Sequence, residues 1–438
     1  MHADKTTVYD LSIFHHDEEQ SLFHHLNFTH TNGGREWLKF YLENPLENID
    51  AIKDRQLLIQ KIISVQNQWT KKISNGSIMV IEKFIESQPG YIYEKANAAN
   101  AFFYKLFNSQ DYSLIKYSVS HFIDFVKGLH ELCEMLAGDH HSKLLQVITE
   151  RIQMLLNDAT IREMLSSPDG AKISGAKSLH WGHFIFYRFK NQTLELIELH
   201  CKLDAFRSMA IASTTHKFIF PVFNEIQPPV VNAKGLYHPL LATPVSYDIH
   251  LCREKNFLFL TGANMAGKST FIKALGVAVF LAHTGMGVPA TEMELSFFDG
   301  LISNINVVDN VIKGESYFYN EVQRIKKTIE KINDGKTWLV LIDELFKGTN
   351  VQDAMKCSTA VIEGLRKIDH ALFVLSTHLY EIGEGLKQWP NIQFRYFETE
   401  AKDNQLYFNY TLKEGISNDR LGYLILKREG VVDMLEKL

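Results

Sequence analysis

A glycine-rich segment, GANMAGKS, occupies residues 262–269 and matches the G-x-x-x-x-G-K-S pattern of phosphate-binding loops. It follows the apolar run 257–260 and precedes a helical pattern that begins at Thr270. In such a strand–loop–helix, main-chain N–H groups and the helix N-terminus face phosphate oxygens. Lys268 is then expected to reach the β- and γ-phosphates, and the Ser269 hydroxyl to bind Mg²⁺. The spacing therefore predicts a site for ATP and Mg²⁺.

An acidic pair, Asp343-Glu344, ends a second apolar run at 338–342. Carboxylates at the exit of a buried strand are costly unless they have a partner or a function. In a P-loop enzyme the aspartate belongs to the Mg²⁺ shell and the glutamate activates the attacking water. We therefore assign these roles to Asp343 and Glu344, with a solvated strand end as the alternative.

Two further polar positions accompany these motifs. His378 follows a third apolar run, 371–375, and at that strand end it is expected to hydrogen-bond the γ-phosphate or the water. Gly314-Glu315-Ser316 precedes a helical pattern, and from the residues alone Ser316 reads as an ordinary helix N-cap. A small-molecule kinase would need an acceptor pocket, and no motif for one is recognisable.

The elements that position these residues fall into two halves. Residues 1–227 have few glycines and prolines and show helical spacing of apolar residues, which predicts an all-α domain. One such stripe is Phe122, Phe125, Val126, Leu129, Leu132 and Cys133. Residues 228–438 contain continuous apolar runs separated by helical segments, which predicts an α/β domain with a mainly parallel sheet. The runs 394–398 and 406–412 predict an antiparallel hairpin.

Composition excludes several classes of protein. The 438 residues are 45% hydrophobic and 22% charged, as in ordinary globular chains. Formal net charge is −5, and neither half is basic, so DNA contact would need a local cluster of cations. The apolar run 274–282 is too short to span a bilayer, the N-terminus does not resemble a signal peptide, and the four cysteines are scattered. A cytoplasmic protein without membrane contact is expected.

The order of these motifs resembles the ATPase domain of the MutS DNA mismatch repair family. The segments that carry the resemblance are GANMAGKST (262–270), VPA (288–290), GESYFYNEV (314–322), LVLIDELFKGTN (339–350) and STH (376–378), with His238-Pro239 upstream and 410–415 downstream. Residues 26–56 and 203–205 resemble the family's helical core and lever domain. The resemblance implies a P-loop ATPase domain of ABC type at 228–438 after a core and lever domain at 1–227.

The resemblance also implies roles for individual residues. Asp343 and Ser269 would hold the metal, Glu344 would be the general base, and His378 would sense the γ-phosphate. Ser316 matches the signature serine that reaches across a dimer to the nucleotide of the other subunit. The predicted nucleotide-binding residues are Gly262, Ala263, Asn264, Met265, Ala266, Gly267, Lys268, Ser269, Thr270 and Ser316, and the predicted catalytic residues are Lys268, Asp343, Glu344 and His378.

The sequence departs from the family pattern in several places. The similarity begins near residue 20, so the family's N-terminal mismatch-recognition domain is expected to be absent. Only 143–194 is left for a DNA clamp, and the chain stops at Leu438, where longer relatives continue into a helix-turn-helix. Ala266 replaces a loop glycine, and Tyr317 follows Ser316 where the family has threonine.

A group of cations interleaved with aromatic residues lies in the helical half. The cations are Lys172, Lys177, His180, Arg188 and Lys190, and the aromatic residues are Trp181, Phe184, Phe186 and Tyr187. This group is either a patch that follows a DNA backbone or a solvated face over packed aromatics.

We therefore expect a homodimeric, ATP-dependent DNA-maintenance ATPase that binds mismatched, branched or duplex DNA and works with repair proteins. The alternative is a nucleotide-switched interaction module that no longer recognises mismatched DNA. A transporter ATPase is disfavoured because an LSGGQ-type signature is missing from this sequence.

Overall fold

The computed structural model describes residues 1–138, 142–168, 173–225, 229–305, 317–402, 405–417 and 431–435. It divides the chain into two compact units. The unit that we call the α/β unit comprises Met1–His25, Asn44–Ile52 and Thr215–Leu438. The helical unit comprises Leu26–Glu43 and Lys53–Thr214.

Helices dominate the N-terminal half of the chain, as the sequence predicts. They are α1 (Lys5–Asp10), α2 (Leu22–Leu26), α3 (Asn32–Glu43), α4 (Ile49–Val65), α5 (Asn75–Glu86), α6 (Ala98–Phe107), α7 (Ser109–Leu136), α8 (Lys143–Leu156), α9 (Ala159–Leu165), α10 (Gly175–His183) and α11 (Lys190–Thr215). A short π-helical stretch, Phe184–Arg188, joins α10 to α11.

The long helix α7 shows why the helical unit folds as it does. Its predicted apolar stripe, from Phe122 to Cys133, is buried. The stripe packs against α5, α8 and α10, so one face of α7 lies in the core of the unit. Serine caps fix neighbouring helix starts, since the hydroxyls of Ser74 and Ser142 accept hydrogen bonds from main-chain N–H groups of α5 and α8.

The α/β unit is built on a seven-stranded sheet in the order β1-β7-β8-β9-β5-β10-β11. All neighbouring strands in it are parallel except β10 and β11. The strands are β1 (His2–Ala3), β5 (Phe257–Thr261), β7 (Gly300–Asn304), β8 (Trp338–Asp343), β9 (Ala371–Ser376), β10 (Ile392–Lys402) and β11 (Gln405–Glu414). The further helices of the chain are α12 (Lys268–His283), α13 (Tyr317–Ile332), α14 (Val351–Leu365), α15 (Glu381–Leu386) and α16 (Val431–Leu435).

The three predicted apolar runs form the centre of this sheet. They are β5, β8 and β9, and every residue of these strands is buried. Because the strands are covered on both faces, their apolar residues run continuously instead of alternating. The predicted hairpin is also confirmed as β10 and β11.

A second, four-stranded sheet in the order β2-β6-β3-β4 was not predicted. Its strands are β2 (Val222–Phe223), β3 (Val230–Leu236), β4 (Tyr247–Cys252) and β6 (Glu292–Leu295). Strand β4 alternates between buried and exposed residues. That period of two is the signal in the sequence that indicates this sheet.

The N-terminal segment packs in the α/β unit rather than in the helical unit. Strand β1 pairs in parallel with β7 at the edge of the main sheet. The Asp10 carboxylate is buried and accepts hydrogen bonds from the Ser303 hydroxyl at 2.7 Å and from the Ile305 main-chain N–H at 2.9 Å. The domain boundary predicted at 227/228 places residues 1–25 in the helical half. The contacts of β1 and Asp10 instead join this N-terminal segment to the seven-stranded sheet of the α/β unit.

Candidate nucleotide site

The loop at residues 262–267 connects strand β5 to helix α12. Gly262 and Gly267 have φ angles of 140° and 110°, a region that side chains with a Cβ rarely adopt. A Cβ atom at Gly262 would lie 3.2 Å from the Phe397 carbonyl oxygen, so the close approach of β10 also requires glycine there. Helix α12 begins at Lys268, directly after the loop, and a helix N-terminus favours a bound anion.

Lys268 is buried beneath this loop. Its ammonium donates hydrogen bonds to the carbonyl oxygens of Gly262 at 2.8 Å and Ala263 at 3.0 Å. The ammonium nitrogen also lies 3.4 Å from Nε2 of His378. Burial lowers the pKa of Lys268 to about 8, even though the charges of Glu344 and Asp343 act in the opposite direction. The cation is therefore held at the loop at a cost in solvation, which a bound anion would offset.

Asp343 lies at the carboxyl end of β8, where it contacts two hydroxyl groups. The Ser269 hydroxyl donates to Oδ2 of Asp343, and the Ser376 hydroxyl donates to Oδ1. Asp343 and Ser376 are paired residues of the parallel strands β8 and β9, so the ladder itself brings them together. The sequence predicts Ser269 and Asp343 at the carboxyl ends of two strands of one parallel sheet, but it does not indicate that Ser376 contacts the carboxylate.

The Glu344 carboxylate has two side-chain partners, His378 and Lys347. Its Oε1 lies 2.8 Å from Nε2 of His378, and its Oε2 lies 3.0 Å from the Lys347 ammonium. Burial alone would raise the pKa of Glu344, but the hydrogen bonds and charges of His378 and Lys347 lower it to about 2. The backbone at Glu344 has a φ of 64°, a strained value for this residue type. Lys347 is a partner that the sequence analysis did not identify.

A cavity of about 430 Å³ opens beside the loop. Its volume lies within the range of small-molecule sites. The predicted residues Ala263, Asn264, Met265, Gly267, Lys268, Ser269, Thr270 and Glu344 line it. The rest of its wall was not predicted and consists of Leu241, Ala242, Thr243, Val245, Tyr247 and Tyr410.

Some predicted residues do not line this cavity. Gly262, Ala266, Asp343 and His378 do not appear in its wall, although Asp343 and His378 contact residues that do. Ala266, which replaces the usual glycine, is buried. Ser316 and its turn lie outside the described residues. The missed part of the wall comes mainly from β4 and the segment before it, which belong with the sheet that was not predicted.

Comparison with known proteins finds similarity to one family. The model of MutS domain V matches residues 258–434, which include the loop, both strand-end motifs and the hairpin. This stretch of the chain is therefore similar to MutS domain V. The DNA mismatch repair protein MutS of Thermotoga maritima is 29% identical over 250 residues, which are 56% of this chain and 31% of that protein. MutS of Oceanobacillus iheyensis is 26% identical over 296 residues, which are 64% of this chain and 33% of that protein.

The chain spans about a third of the length of these MutS relatives. The similarity to the Thermotoga maritima protein extends over 250 residues, which is longer than the domain V match at residues 258–434. Within the ranges that the structure describes, no helix combines the length and apolarity needed to cross a membrane.

The mixed group of cations and aromatics in the helical unit is largely occupied by internal contacts. Lys177 pairs with Glu163 at 2.9 Å, Arg188 pairs with Glu94, and the Lys190 ammonium donates to the Ile85 carbonyl oxygen at 2.9 Å. Trp181 and Phe184 are buried, and Lys172 lies outside the described residues. These contacts favour the alternative of a solvated face over packed aromatics.

Proposed function

We propose that this chain is an ATPase of MutS type, which binds ATP with Mg²⁺, hydrolyses it and uses the nucleotide cycle to change its contact with DNA. One observation carries the proposal: Lys268, Ser269, Asp343 and Glu344 meet where the loop and two parallel strand ends converge, beside a cavity of suitable volume. A family match over domain V supports the same conclusion.

The side chains at this position fit a nucleotide phosphate and Mg²⁺. A buried ammonium and a helix N-terminus both favour a polyanion. The Ser269 hydroxyl and the Asp343 carboxylate are oxygen donors of the kind that Mg²⁺ prefers, and Mg²⁺ usually takes only one or two protein carboxylates in addition to phosphate oxygens. Mg²⁺ held there would neutralise charge on the phosphate groups.

Glu344 is the proposed general base for hydrolysis. Water attacks the γ-phosphorus, the bond from that phosphorus to the bridging oxygen breaks, and the proton of the water passes to the Glu344 carboxylate. In the structure both carboxylate oxygens of Glu344 are engaged, one by His378 and one by Lys347. At least one of these contacts must be exchanged for the water before the proton transfers. His378 would couple the exchange of this contact to the proton transfer, because it contacts both Glu344 and Lys268.

The quaternary arrangement is part of the proposal. Two copies of the ATPase domain, proposed at 228–438 with an ABC-type P-loop fold, would enclose two ATP molecules. Lys268 and Asp343 of one copy would then face Ser316 of the other. ATP can drive this closure only through its higher affinity for the closed state. The roles of Ser316 and His378 as nucleotide contacts remain predictions.

The proposed role with DNA has one specific alternative. Relatives of this chain are named DNA mismatch repair proteins, which supports a role with DNA and with repair proteins. The internal ion pairs of Lys177 and Arg188 instead favour the alternative, a nucleotide-switched interaction module that no longer recognises mismatched DNA. Both candidates require the same ATP site.

Turnover by the Glu344→Gln variant tests the catalytic assignment. The variant should bind Mg·ATP and accumulate as a closed dimer, because glutamine preserves the size of the side chain but accepts no proton. We expect phosphate release to fall by about 10²–10⁴-fold, the usual contribution of a general base. Glu384→Gln is a matched control, since Glu384 lies on α15 with an exposed side chain. A Glu344→Gln enzyme that hydrolyses ATP at the wild-type rate would remove the assignment.

A further inference from the structure

Helix α13 carries a buried carboxylate that contacts the loop at 344–350, between strand β8 and helix α14. Glu321 is only 5% exposed, and its carboxylate accepts hydrogen bonds from two consecutive main-chain N–H groups of this loop. The Lys347 N–H donates to Oε1 at 3.1 Å, and the Gly348 N–H donates to Oε2 at 3.2 Å. Each oxygen of the carboxylate thus has a donor in the loop that begins at Glu344, the proposed general base.

The backbone of this loop has an unfavourable conformation. Glu344 and Phe346 have φ angles of 64° and 59°, in the left-handed region that residues with a Cβ rarely adopt. Such conformations persist only where the surrounding contacts fix them. The Glu344 main-chain N–H donates to the Ser376 carbonyl oxygen at 3.0 Å, which holds the start of the loop. Glu321 holds the loop three and four residues later.

An apolar contact between α13 and the loop lies beside this carboxylate. Phe318 packs against Phe346 with ring centroids 5.7 Å apart, and Phe346 is buried. Val322 packs against the same apolar cluster as Phe318. Phe318, Glu321 and Val322 are spaced by three and four residues, so they lie on one face of the helix. This face of α13 therefore contacts the loop through both apolar and charged side chains.

Lys347 connects Glu321 to the side chain of Glu344. The main-chain N–H of Lys347 donates to Glu321, whereas its ammonium lies 3.0 Å from Oε2 of Glu344. Release of the main chain at Lys347 would therefore let this cation move relative to the Glu344 carboxylate.

We infer that Glu321 is a positioning residue, which holds the 344–350 loop so that the Glu344 carboxylate can accept the proton of the attacking water. The inference rests on the proposed function, because it takes Glu344 as the general base. Burial of a carboxylate is costly, and here two N–H donors from one loop offset that cost. Glutamine could not replace it, since the amide has one acceptor oxygen and would place an NH₂ group opposite the second N–H.

Steady-state hydrolysis by the Glu321→Gln variant tests the inference. We expect kcat to fall by about 10- to 100-fold, because a displacement of about 1 Å near a reacting centre can cost about 10²-fold. The KM for Mg·ATP and the calorimetric affinity should change by less than about threefold, since the described wall of the cavity does not include Glu321. Glu330→Gln is the matched control, because Glu330 lies on the same helix with a side chain that is 62% exposed, and this variant should keep the wild-type rate.

Amide hydrogen exchange measures the contact without ATP. The N–H groups of Lys347 and Gly348 should exchange at least about tenfold faster in Glu321→Gln than in the wild type or in Glu330→Gln, because they lose a buried acceptor. Glu321→Asp is a second variant, which keeps the charge but withdraws the shorter carboxylate from the loop, and a similar loss of kcat is expected.

The combination of Glu321→Gln with Glu344→Gln separates positioning from a general loss of stability. If Glu321 acts through Glu344, its substitution should change the residual rate of Glu344→Gln by less than about twofold, since the two effects are not additive. A merely structural role would lower the residual rate as much as it lowers the wild-type rate.

The outcomes distinguish this inference from the function on which it rests. An active wild type whose kcat is unchanged in Glu321→Gln and Glu321→Asp would overturn the inference alone. An equal fold-loss of rate in the Glu344→Gln background would do the same. Wild-type protein that binds no Mg·ATP and releases no phosphate would instead overturn the proposed function, and the role of Glu321 with it.

Discussion

At the scale of single residues, the candidate site combines side chains that the sequence indicates with others that it does not. Lys268, Ser269 and Asp343 stand at a loop and a strand end, and parallel strands bring such ends to one edge of a sheet. Ser376 and Lys347 contact the two carboxylates of the site; both lie within segments that carry the family resemblance, but the sequence analysis gives neither of them a role. Serine and lysine occur at many solvated positions, so only the fold reveals which carboxylate they contact.

Lys268 makes the affinity for ATP dependent on pH. Burial lowers the pKa of Lys268 to about 8, so the ammonium loses its proton as the pH rises through 8. Phosphate charge favours the protonated form, so binding near pH 8.5 should take up a proton, and affinity should fall by up to about tenfold per pH unit above 8. Calorimetry in buffers with different heats of ionisation measures this uptake.

The variant Lys268→Ala is the control for this pH dependence. It should bind ATP weakly at every pH and show no linked proton uptake in the range from 7 to 9.5. The account of Lys268 is wrong if wild-type affinity stays constant over the same range.

At the scale of elements, the sequence predicts the central strands well and the peripheral ones poorly. Buried parallel strands leave continuous apolar runs, as in β8, and these are visible without an alignment. The second sheet leaves no continuous apolar run, because β4 alternates between buried and exposed residues, and such a short alternation was not recognised as a strand. Helical spacing predicts α1 as a helix but does not reveal that this helix packs on β7.

Asp10 should be a strong contributor to the stability of the α/β unit. Its buried carboxylate accepts hydrogen bonds from Ser303 and Ile305 and lies 3.8 Å from the guanidinium of Arg324. Asp10→Ala removes the acceptor and leaves those donors in a site that excludes water. We expect the free energy of unfolding to fall by about 3 kcal/mol in urea titrations followed by circular dichroism.

Asp17→Ala provides the comparison for this variant. Asp17 is exposed and accepts a hydrogen bond from Gln20, so its loss should change the free energy of unfolding by less than about 0.5 kcal/mol. Equal, small effects of both substitutions would show that the N-terminal segment does not stabilise the sheet.

At the scale of the whole molecule, the proposed nucleotide cycle acts either on DNA or on a protein partner. Binding to mismatched, branched and duplex DNA, with and without ATP, separates an ATPase that handles DNA from a switched interaction module. If about three phosphates are contacted, affinity should fall by roughly 40-fold between about 50 and 200 mM salt. Undetectable binding to all three DNAs at low salt would favour the interaction module.

The central claim is that a triphosphate binds at the loop around Lys268, and calorimetry tests it most directly. Purified protein, freed of nucleotide, is titrated with Mg·ATP beside the Lys268→Ala variant. We predict saturable binding of one ATP per chain in the wild type and a large loss of affinity in the variant. Folded wild-type protein that shows no saturable binding would contradict the account, as would equal affinity in Lys268→Ala.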